Sequence, residues 1–255
     1  MTVFQALILG VVQGLTEFLP VSSSAHLVVL PEIFGWQAHS LVFDTTLHLG
    51  TSLALLAYFW KDLWEILRSP KKWWFKLFLG MLPAGVLGFL FNDLFEEYFR
   101  DISFVVVFLV LGSVLMHVAE KFFSSGNASA EEVSAKKSFL VGLFQSLALF
   151  PGFSRSGSTI SGGMILGMSR EAAAKFSFLL SIPLVWAAGG LEFVQLFSAG
   201  VGGSSVSAFA LLVGAVSSFL TGVLCIKFFM RFVKSNSLIP FVVYRLLLAL
   251  ALIML

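Results

Sequence analysis

The sequence predicts an all-α polytopic membrane protein with six spanning helices, two re-entrant helix–loop–helix hairpins and an inverted-topology repeat. The predictors are composition, two interrupted apolar regions and the placement of basic residues. Of the 255 residues, 58% are hydrophobic and only 12% are charged. The mean hydropathy is +0.96, whereas a soluble domain carries about 25% charged residues. We therefore expect a single membrane domain over 1–255.

Six long apolar runs predict the spanning helices. Each approaches the ~20 residues that a spanning helix needs, although the second run is short. The runs are 41–60, 77–91, 103–119, 176–197, 206–226 and 238–255.

Two further regions, 3–34 and 139–168, each hold two apolar pieces that are too short to span. A polar break rich in proline and serine separates the pieces, at 17–24 in the first region and 151–161 in the second. Irregular backbone at membrane depth is tolerated only inside protein or beside a wet cavity. Both regions therefore predict re-entrant hairpins.

The chain also repeats itself. Gly10-Val-Val-Gln13 matches Gly142-Leu-Phe-Gln145 at an offset of 132, and later matches drift only to 134. We expect repeats at approximately 1–120 and 138–255, joined by a cytoplasmic linker at approximately 121–137. Each repeat holds one hairpin and three spans, and an odd number of spans inverts the second repeat relative to the first.

Loop charge predicts the orientation. Thirteen of the 16 basic residues fall in four segments that the positive-inside rule places in the cytoplasm. They are Lys61, Arg68, Lys71, Lys72, Lys76, Lys121, Lys136, Lys137, Arg170, Lys175, Lys227, Arg231 and Lys234. The first hairpin then enters from outside and the second from the cytoplasm. Inverted repeats place sites near the midplane, so the two polar loops should face each other across one cavity.

The first loop carries the parts of nucleophilic or acid–base catalysis: Glu17, Ser23 and His26. Gln13 lies four residues before Glu17, so the two share a helix face. Ser23 is the candidate nucleophile, with His26 or Glu17 removing its proton, and an activated water is the alternative. His26 could instead be a packed polar residue, and Glu17 a buried, protonated carboxyl.

The second loop predicts a phosphate cradle around Arg155. Arginine at bilayer depth costs at least roughly 2.5–3.5 kcal/mol, which calls for an anionic partner or a function. Neighbouring hydroxyls and the backbone N–H groups that open a helix complete such a cradle. The structural alternatives are an Arg155–Glu17 ion pair and serines that bond their own backbone.

Other residues give weaker signals. Arg245 lies inside the last apolar run and could reach the cavity or snorkel outward. His48 could flank the site from outside or meet the membrane interface. The single Cys225 excludes an internal disulfide framework and a cysteine metal site. The basic residues are spread over short loops, so nucleic acid is not an expected partner.

Two motifs resemble the undecaprenyl-pyrophosphate phosphatase family of the bacitracin-resistance type. They are Gln13-Gly-Leu-Thr-Glu17, running on to His26, and Pro151-Gly-Phe-Ser-Arg-Ser-Gly-Ser-Thr159, which matches the family's second signature without a mismatch. Many members carry Glu in place of Gln13, which shifts any acidic role in this chain onto Glu17.

The resemblance implies hydrolysis of an isoprenyl pyrophosphate lipid to its monophosphate and inorganic phosphate. It places that reaction at the outer face of the bacterial plasma membrane, where the cell-wall lipid carrier is recycled. It also implies a divalent cation, Mg²⁺ or Ca²⁺, with Glu17 as the candidate ligand. The expected catalytic residues are Glu17, Ser23, His26 and Arg155. The expected substrate-binding residues are Gln13, Ser22, Ser154, Ser156, Gly157 and Thr159.

Two alternatives stay open at this point. Inverted repeats with broken helices are also transporter architecture, so the chain could move a lipid phosphate or another anion. Small residues such as Gly80, Gly85 and Gly88 could pack helices within one chain or between the two chains of a homodimer.

Overall fold

A computed structural model describes residues 1–37, 40–68, 70–99, 101–198 and 206–254, without the side chains of 70–72, 92–97 and 187–198. Within these ranges the secondary structure is eleven α-helices and one 3₁₀ turn, and no sheet is formed. The helices are α1 (Val3–Thr16), α2 (Ser23–Ile33), α3 (Leu41–Tyr58), α4 (Trp60–Arg68), α5 (Pro70–Tyr98), α6 (Ile102–Phe123), α7 (Ala135–Ser146), α8 (Arg155–Ile165), α9 (Arg170–Ser198), α10 (Ala208–Ser235) and α11 (Ile239–Ile253).

Among the described residues, four helices are long and apolar enough to cross a membrane. They are α3, the Trp73–Phe91 part of α5, α6 and α10. α1 and α11 are apolar but shorter, at 14 and 15 residues. The expectation of a multi-pass, all-helical membrane protein is therefore confirmed.

Two short helix pairs occupy the regions that the sequence marked as interrupted. α1 and α2 are separated by residues 17–22, and α7 and α8 by a 3₁₀ turn at Leu147–Leu149 and a loop to 154. The second break is shorter than predicted, because 155–161 is helical rather than irregular. Ser154 caps α8 by accepting a hydrogen bond from Gly157 N–H at 3.2 Å, which lets small polar residues continue as helix.

α4 is a helix where the sequence analysis predicted only a basic connecting loop. It turns Ile66 into the core and leaves Trp60 and Trp64 exposed. α4 is a short amphipathic helix, and apolar residues spaced three or four positions apart give such a helix one side that can be buried.

Glycines bring helices from the two halves of the chain into close contact. A Cβ placed on Gly10 of α1 would lie 2.6 Å from the Gly214 carbonyl oxygen of α10. A Cβ on Gly142 of α7 would lie 2.3 Å from the Gly80 carbonyl oxygen of α5. Small residues allow such approaches between membrane helices. Each short leading helix is thus seated on a long helix of the other half.

Ion pairs join the four segments that carry most of the basic residues. Lys175 at the start of α9 bonds Asp62 of α4 at 2.7 Å and Glu131 of the linker at 3.0 Å. Lys234 at the end of α10 bonds Glu171 at 3.0 Å. Burial raises the pKa of Glu131, but hydrogen bonds, led by the one from Lys175, lower it more, so the pKa lies below its usual value. The four basic segments therefore lie on the same side of the molecule.

We predict that Gly142→Ala destabilises the protein while Gly85→Ala does not. The new methyl group of Gly142→Ala would overlap the Gly80 backbone, and overpacking costs about 1–3 kcal/mol. At Gly85 no described heavy atom lies within 4 Å of the added carbon. Thermal unfolding of both variants in one detergent measures the difference. Equal melting temperatures would contradict the close α5–α7 contact.

Candidate active site

The two polar loops meet at an ion pair. Glu17 follows the last residue of α1, and Arg155 is the first residue of α8. Arg155 Nη2 donates to Glu17 Oε1, and the two side chains are only 14% and 9% exposed. The ion pair that the sequence left as an alternative is present, and it joins residues 138 positions apart.

Glu17 also binds two residues of its own hairpin. Ser23 Oγ donates to Glu17 Oε2 at 2.7 Å, and Gln13 Nε2 donates to the same oxygen at 3.1 Å. One carboxylate oxygen thus faces the guanidinium and the other faces the serine. An ionised carboxylate only accepts hydrogen bonds, which fits this set of donors. A hydroxyl held on a carboxylate is placed to lose its proton.

His48 of α3 forms the exposed edge of this cluster. Its Nδ1 lies 3.0 Å from Gln13 Nε2 and 3.7 Å from Glu17 Oε2. The imidazole is 41% exposed, in contrast to the buried carboxylate beside it. Of the two sequence interpretations of His48, the structure supports the one in which it flanks the site.

The two loops share an unusual backbone conformation. Ser22 has φ 71° and Ser154 has φ 74°, and they are the only non-glycine residues with positive φ in the described part of the chain. Each immediately precedes a helix, so Ser23 and Arg155 are both first helical residues. Such conformations cost about 1–3 kcal/mol each and persist only where surrounding contacts hold them.

His26 lies beside this cluster but is bonded elsewhere. Its Nδ1 donates to the Ser22 carbonyl oxygen at 2.7 Å, so Nε2 is the acceptor for the Tyr244 hydroxyl at 2.7 Å. The described contacts thus direct both ring nitrogens away from Ser23. The sequence analysis did not find Tyr244, since nothing distinguishes a tyrosine within an apolar run.

The hydroxyls of the second loop mainly brace the loop itself. Ser156 Oγ donates to the Leu19 carbonyl oxygen at 3.2 Å and so links the two loops. Thr159 Oγ1 donates to the Arg155 carbonyl oxygen at 2.7 Å, and Ser158 Oγ bonds the same oxygen at 3.1 Å. The interpretation that a serine bonds backbone therefore holds for Ser158, whereas the described contact of Ser24 Oγ is the Ser22 hydroxyl.

Two buried polar atoms at the site have no protein partner among the described residues. They are Arg155 Nη1, a charged donor, and Gln13 Oε1, an acceptor. Leaving a buried donor unpaired costs about 1–3 kcal/mol, and more for a charged group. Arg155 Nη1 is an unpaired, positively charged donor beside the first turn of α8. Helix N-termini also attract anions, so the two features together favour an anion site here.

The site offers few ligands to a cation. Within the described ranges no three His, Cys, Asp or Glu residues cluster as a metal site. Glu17 and the unpaired Gln13 Oε1 provide two oxygen ligands on one helix turn. Mg²⁺ is commonly held by one or two carboxylates together with substrate phosphates and water. The donor set therefore fits a cation that arrives with a phosphate, not one enclosed by protein alone.

Comparison with known proteins agrees with the motifs. Residues 6–251 match the family model described as bacitracin resistance protein BacA. The chain belongs to this family. It is 41% identical to the undecaprenyl-diphosphatase of Thermomicrobium roseum, with 100% of this chain and 98% of that protein covered. It is 40% identical to the enzyme of the same name from Caldicellulosiruptor bescii, over 98% of this chain and 96% of that protein.

We predict that Ser23→Ala abolishes most activity whereas Ser24→Ala changes it little. Ser23 Oγ donates to Glu17, whereas Ser24 is an exposed residue whose Oγ bonds only the Ser22 hydroxyl, at 3.1 Å, in the described structure. Loss of a nucleophile should lower kcat by about 10³-fold or more. Phosphate release by the two purified variants gives the comparison. Similar losses in both would remove the case for Ser23.

Proposed function

We propose that this chain hydrolyses undecaprenyl diphosphate to undecaprenyl phosphate and inorganic phosphate. Family membership and full-length relatives named undecaprenyl-diphosphatase support the reaction. The observation that carries the proposal is the Ser23–Glu17–Arg155 arrangement, which joins a hydroxyl, a carboxylate and a guanidinium with one free donor. Phosphoryl transfer needs an in-line nucleophile and positive charge on the phosphate oxygens.

The first chemical step uses both loops. The terminal phosphate takes the place of Glu17 Oε1 at Arg155, and Arg155 Nη1 and Nη2 then both donate to phosphate oxygens. Ser23 Oγ attacks the terminal phosphorus while its proton passes to Glu17 Oε2. The bond between the terminal phosphorus and the bridging oxygen breaks, and undecaprenyl phosphate leaves.

The second step restores the enzyme. Glu17 first passes the serine proton to the departing lipid phosphate. A water molecule then attacks the phosphoserine while Glu17 takes one of its protons. Glu17 returns that proton to Ser23 Oγ as the phosphorus–Oγ bond breaks, and inorganic phosphate is released. The remaining predicted residues support these steps: His26 holds the Ser22 backbone, while Ser154, Ser156, Thr159 and the Gly157 N–H shape the second loop.

We also propose a divalent cation at Glu17 and Gln13. The Glu17 carboxylate and the Gln13 amide oxygen would hold it, and it would neutralise charge on the substrate's phosphate oxygens. Because Gln13 is neutral, this chain should hold the cation more weakly than a protein with a second carboxylate there.

The proposed membrane arrangement keeps the six spans, the two re-entrant hairpins and the inverted repeats over approximately 1–120 and 138–255. Supporting it, α2 and α8 are both 11 residues long and begin 132 positions apart. The paired glycine contacts of α1 with α10 and of α7 with α5 also fit two related halves.

The joined basic segments belong in the cytoplasm by the positive-inside rule. The site then opens to the outer face of a bacterial plasma membrane, and the isoprenyl tail stays in lipid. A homodimer stays a prediction, although Gly80 packs on Leu180 within the chain.

We predict that Arg155→Lys loses most hydrolysis of undecaprenyl diphosphate. A lysine supplies a point charge but cannot present two parallel donors to one phosphate. Release of inorganic phosphate by purified protein measures the effect, with Arg68→Lys on the far α4 helix as a matched control. Wild-type kcat/KM in Arg155→Lys would exclude the two-donor role, and wild-type protein that binds the lipid without releasing phosphate would favour a carrier.

We predict that Gln13→Glu lowers the Mg²⁺ concentration needed for half-maximal activity. The second carboxylate would lie where Gln13 now contacts Glu17 at 3.1 Å, so it adds a charged oxygen ligand. Gln37→Glu adds the same charge at an exposed position outside the cluster and should leave the requirement unchanged. Activity that persists undiminished in a chelator, in wild type and both variants, would contradict the proposed cation.

A further inference from the structure

Arg245 is the largest fully buried side chain of the described core. It lies in α11, and its relative exposure is 0%. No described hydrogen bond or ion pair links it to a carboxylate, although a buried charge ordinarily needs compensation. Its role must therefore be sought among its other partners. The guanidinium is buried rather than snorkelling outward, and it bonds the backbone of the two loops instead of reaching the reacting groups.

The partners of Arg245 are backbone carbonyls from three places. Nη1 donates to Pro20 in the first loop at 3.4 Å. Nη2 is shared between Gly152 at 3.0 Å and Phe153 at 3.1 Å in the second loop, and Leu109 of α6 at 3.1 Å. One rigid fork thus holds both catalytic loops against the same helix.

The two loop carbonyls occupy corresponding positions. Pro20 lies two residues before Ser22, and Gly152 lies two residues before Ser154, the two serines with positive φ. The residues that follow these serines are Ser23 and Arg155. Any change in the distance between the two carbonyls therefore changes the distance between the proposed nucleophile and the phosphate clamp.

The residues around the Arg245 guanidinium leave space for it and bond it. A Cβ on Gly112 of α6 would lie 2.3 Å from Arg245 Nη2, so only glycine leaves space for the guanidinium there. Ser113 Oγ accepts a hydrogen bond from Nε at 3.1 Å and donates to the Leu109 carbonyl oxygen at 2.7 Å. The side chain is thereby held at Nε as well as at Nη1 and Nη2.

We propose that Arg245 is a positioning residue that sets the distance and angle between Ser23 and Arg155. It touches neither the substrate nor the reacting atoms, and it acts through the carbonyls of Pro20, Gly152 and Phe153. The inference rests on the proposed hydrolase function. It adds that the two strained loops are aligned by a shared cation at their backbone, in addition to the Glu17–Arg155 pair at their side chains.

If Arg245 positions the two loops, its substitution should change kcat more than it changes phosphate binding. Arg155 and the first turn of α8 are held by hydrogen bonds that do not involve Arg245. Competitive inhibition by inorganic phosphate should therefore survive, whereas attack by Ser23 across the gap should slow. A misplacement of about 1 Å can cost roughly 10²-fold in rate.

The test compares Arg245→Lys with Arg231→Lys, an exposed arginine of α10, in the same detergent. A lysine has one donor nitrogen and cannot reach carbonyls of both loops at once, so kcat should fall by about 10²-fold. The inhibition constant for inorganic phosphate should stay near that of wild type in both variants, and Arg231→Lys should keep its kcat. Wild-type protein without hydrolysis would instead refute the proposed function and not this role.

Two results would overturn the positioning role. One is a wild-type kcat in Arg245→Lys. The other is a loss of phosphate inhibition as large as the loss of kcat, in an Arg245→Lys protein whose melting temperature stays near that of wild type. Ser113→Ala decides the matter if Arg245→Lys does not fold. It removes the contacts of Ser113 Oγ with Arg245 Nε and with the Leu109 carbonyl oxygen but none of the contacts with the loop carbonyls. It should therefore lower kcat by less than Arg245→Lys while phosphate inhibition persists, and an unchanged kcat counts against the role.

Discussion

The ion pair between Glu17 and Arg155 is the interaction on which the rest of this structure depends. Each charge is held where a lone charge would be costly, and each is acceptable because the other lies within hydrogen-bond distance. The two residues come from separate helical hairpins, α1–α2 and α7–α8, of a chain that is 58% hydrophobic. The glycine contacts that seat α1 on α10 and α7 on α5 bring those hairpins within reach.

The pair also explains how the resting site can be both stable and reactive. Glu17 satisfies one face of the guanidinium and simultaneously holds the Ser23 hydroxyl at 2.7 Å. In the proposed mechanism, a phosphate that replaces the carboxylate at Arg155 keeps the guanidinium neutralised and leaves Glu17 free to take the serine proton. The exchange separates Glu17 from its guanidinium, and the carboxylate is neutralised when it takes the serine proton.

Sequence reasoning found the parts of this site that depend on chemistry, and missed those that depend on packing. Charged and hydroxyl residues in apolar surroundings stand out, so Glu17, Ser23 and Arg155 could be named from the sequence. The partners of His26 could not, because they depend on which face of α11 presents Tyr244. The helical start of α8 at Arg155 was also missed, since serine and glycine favour loops until a cap such as Ser154 is in place.

The stereochemistry at the transferred phosphorus tests the central claim most directly. A substrate whose terminal group is a chiral, oxygen-isotope-labelled phosphorothioate can be hydrolysed in isotopically labelled water, and the configuration of the released thiophosphate determined. Attack by Ser23 followed by attack of water consists of two in-line displacements, so the account predicts net retention. Net inversion would show that water attacks the lipid pyrophosphate directly, and would contradict a serine nucleophile held between Glu17 and Arg155.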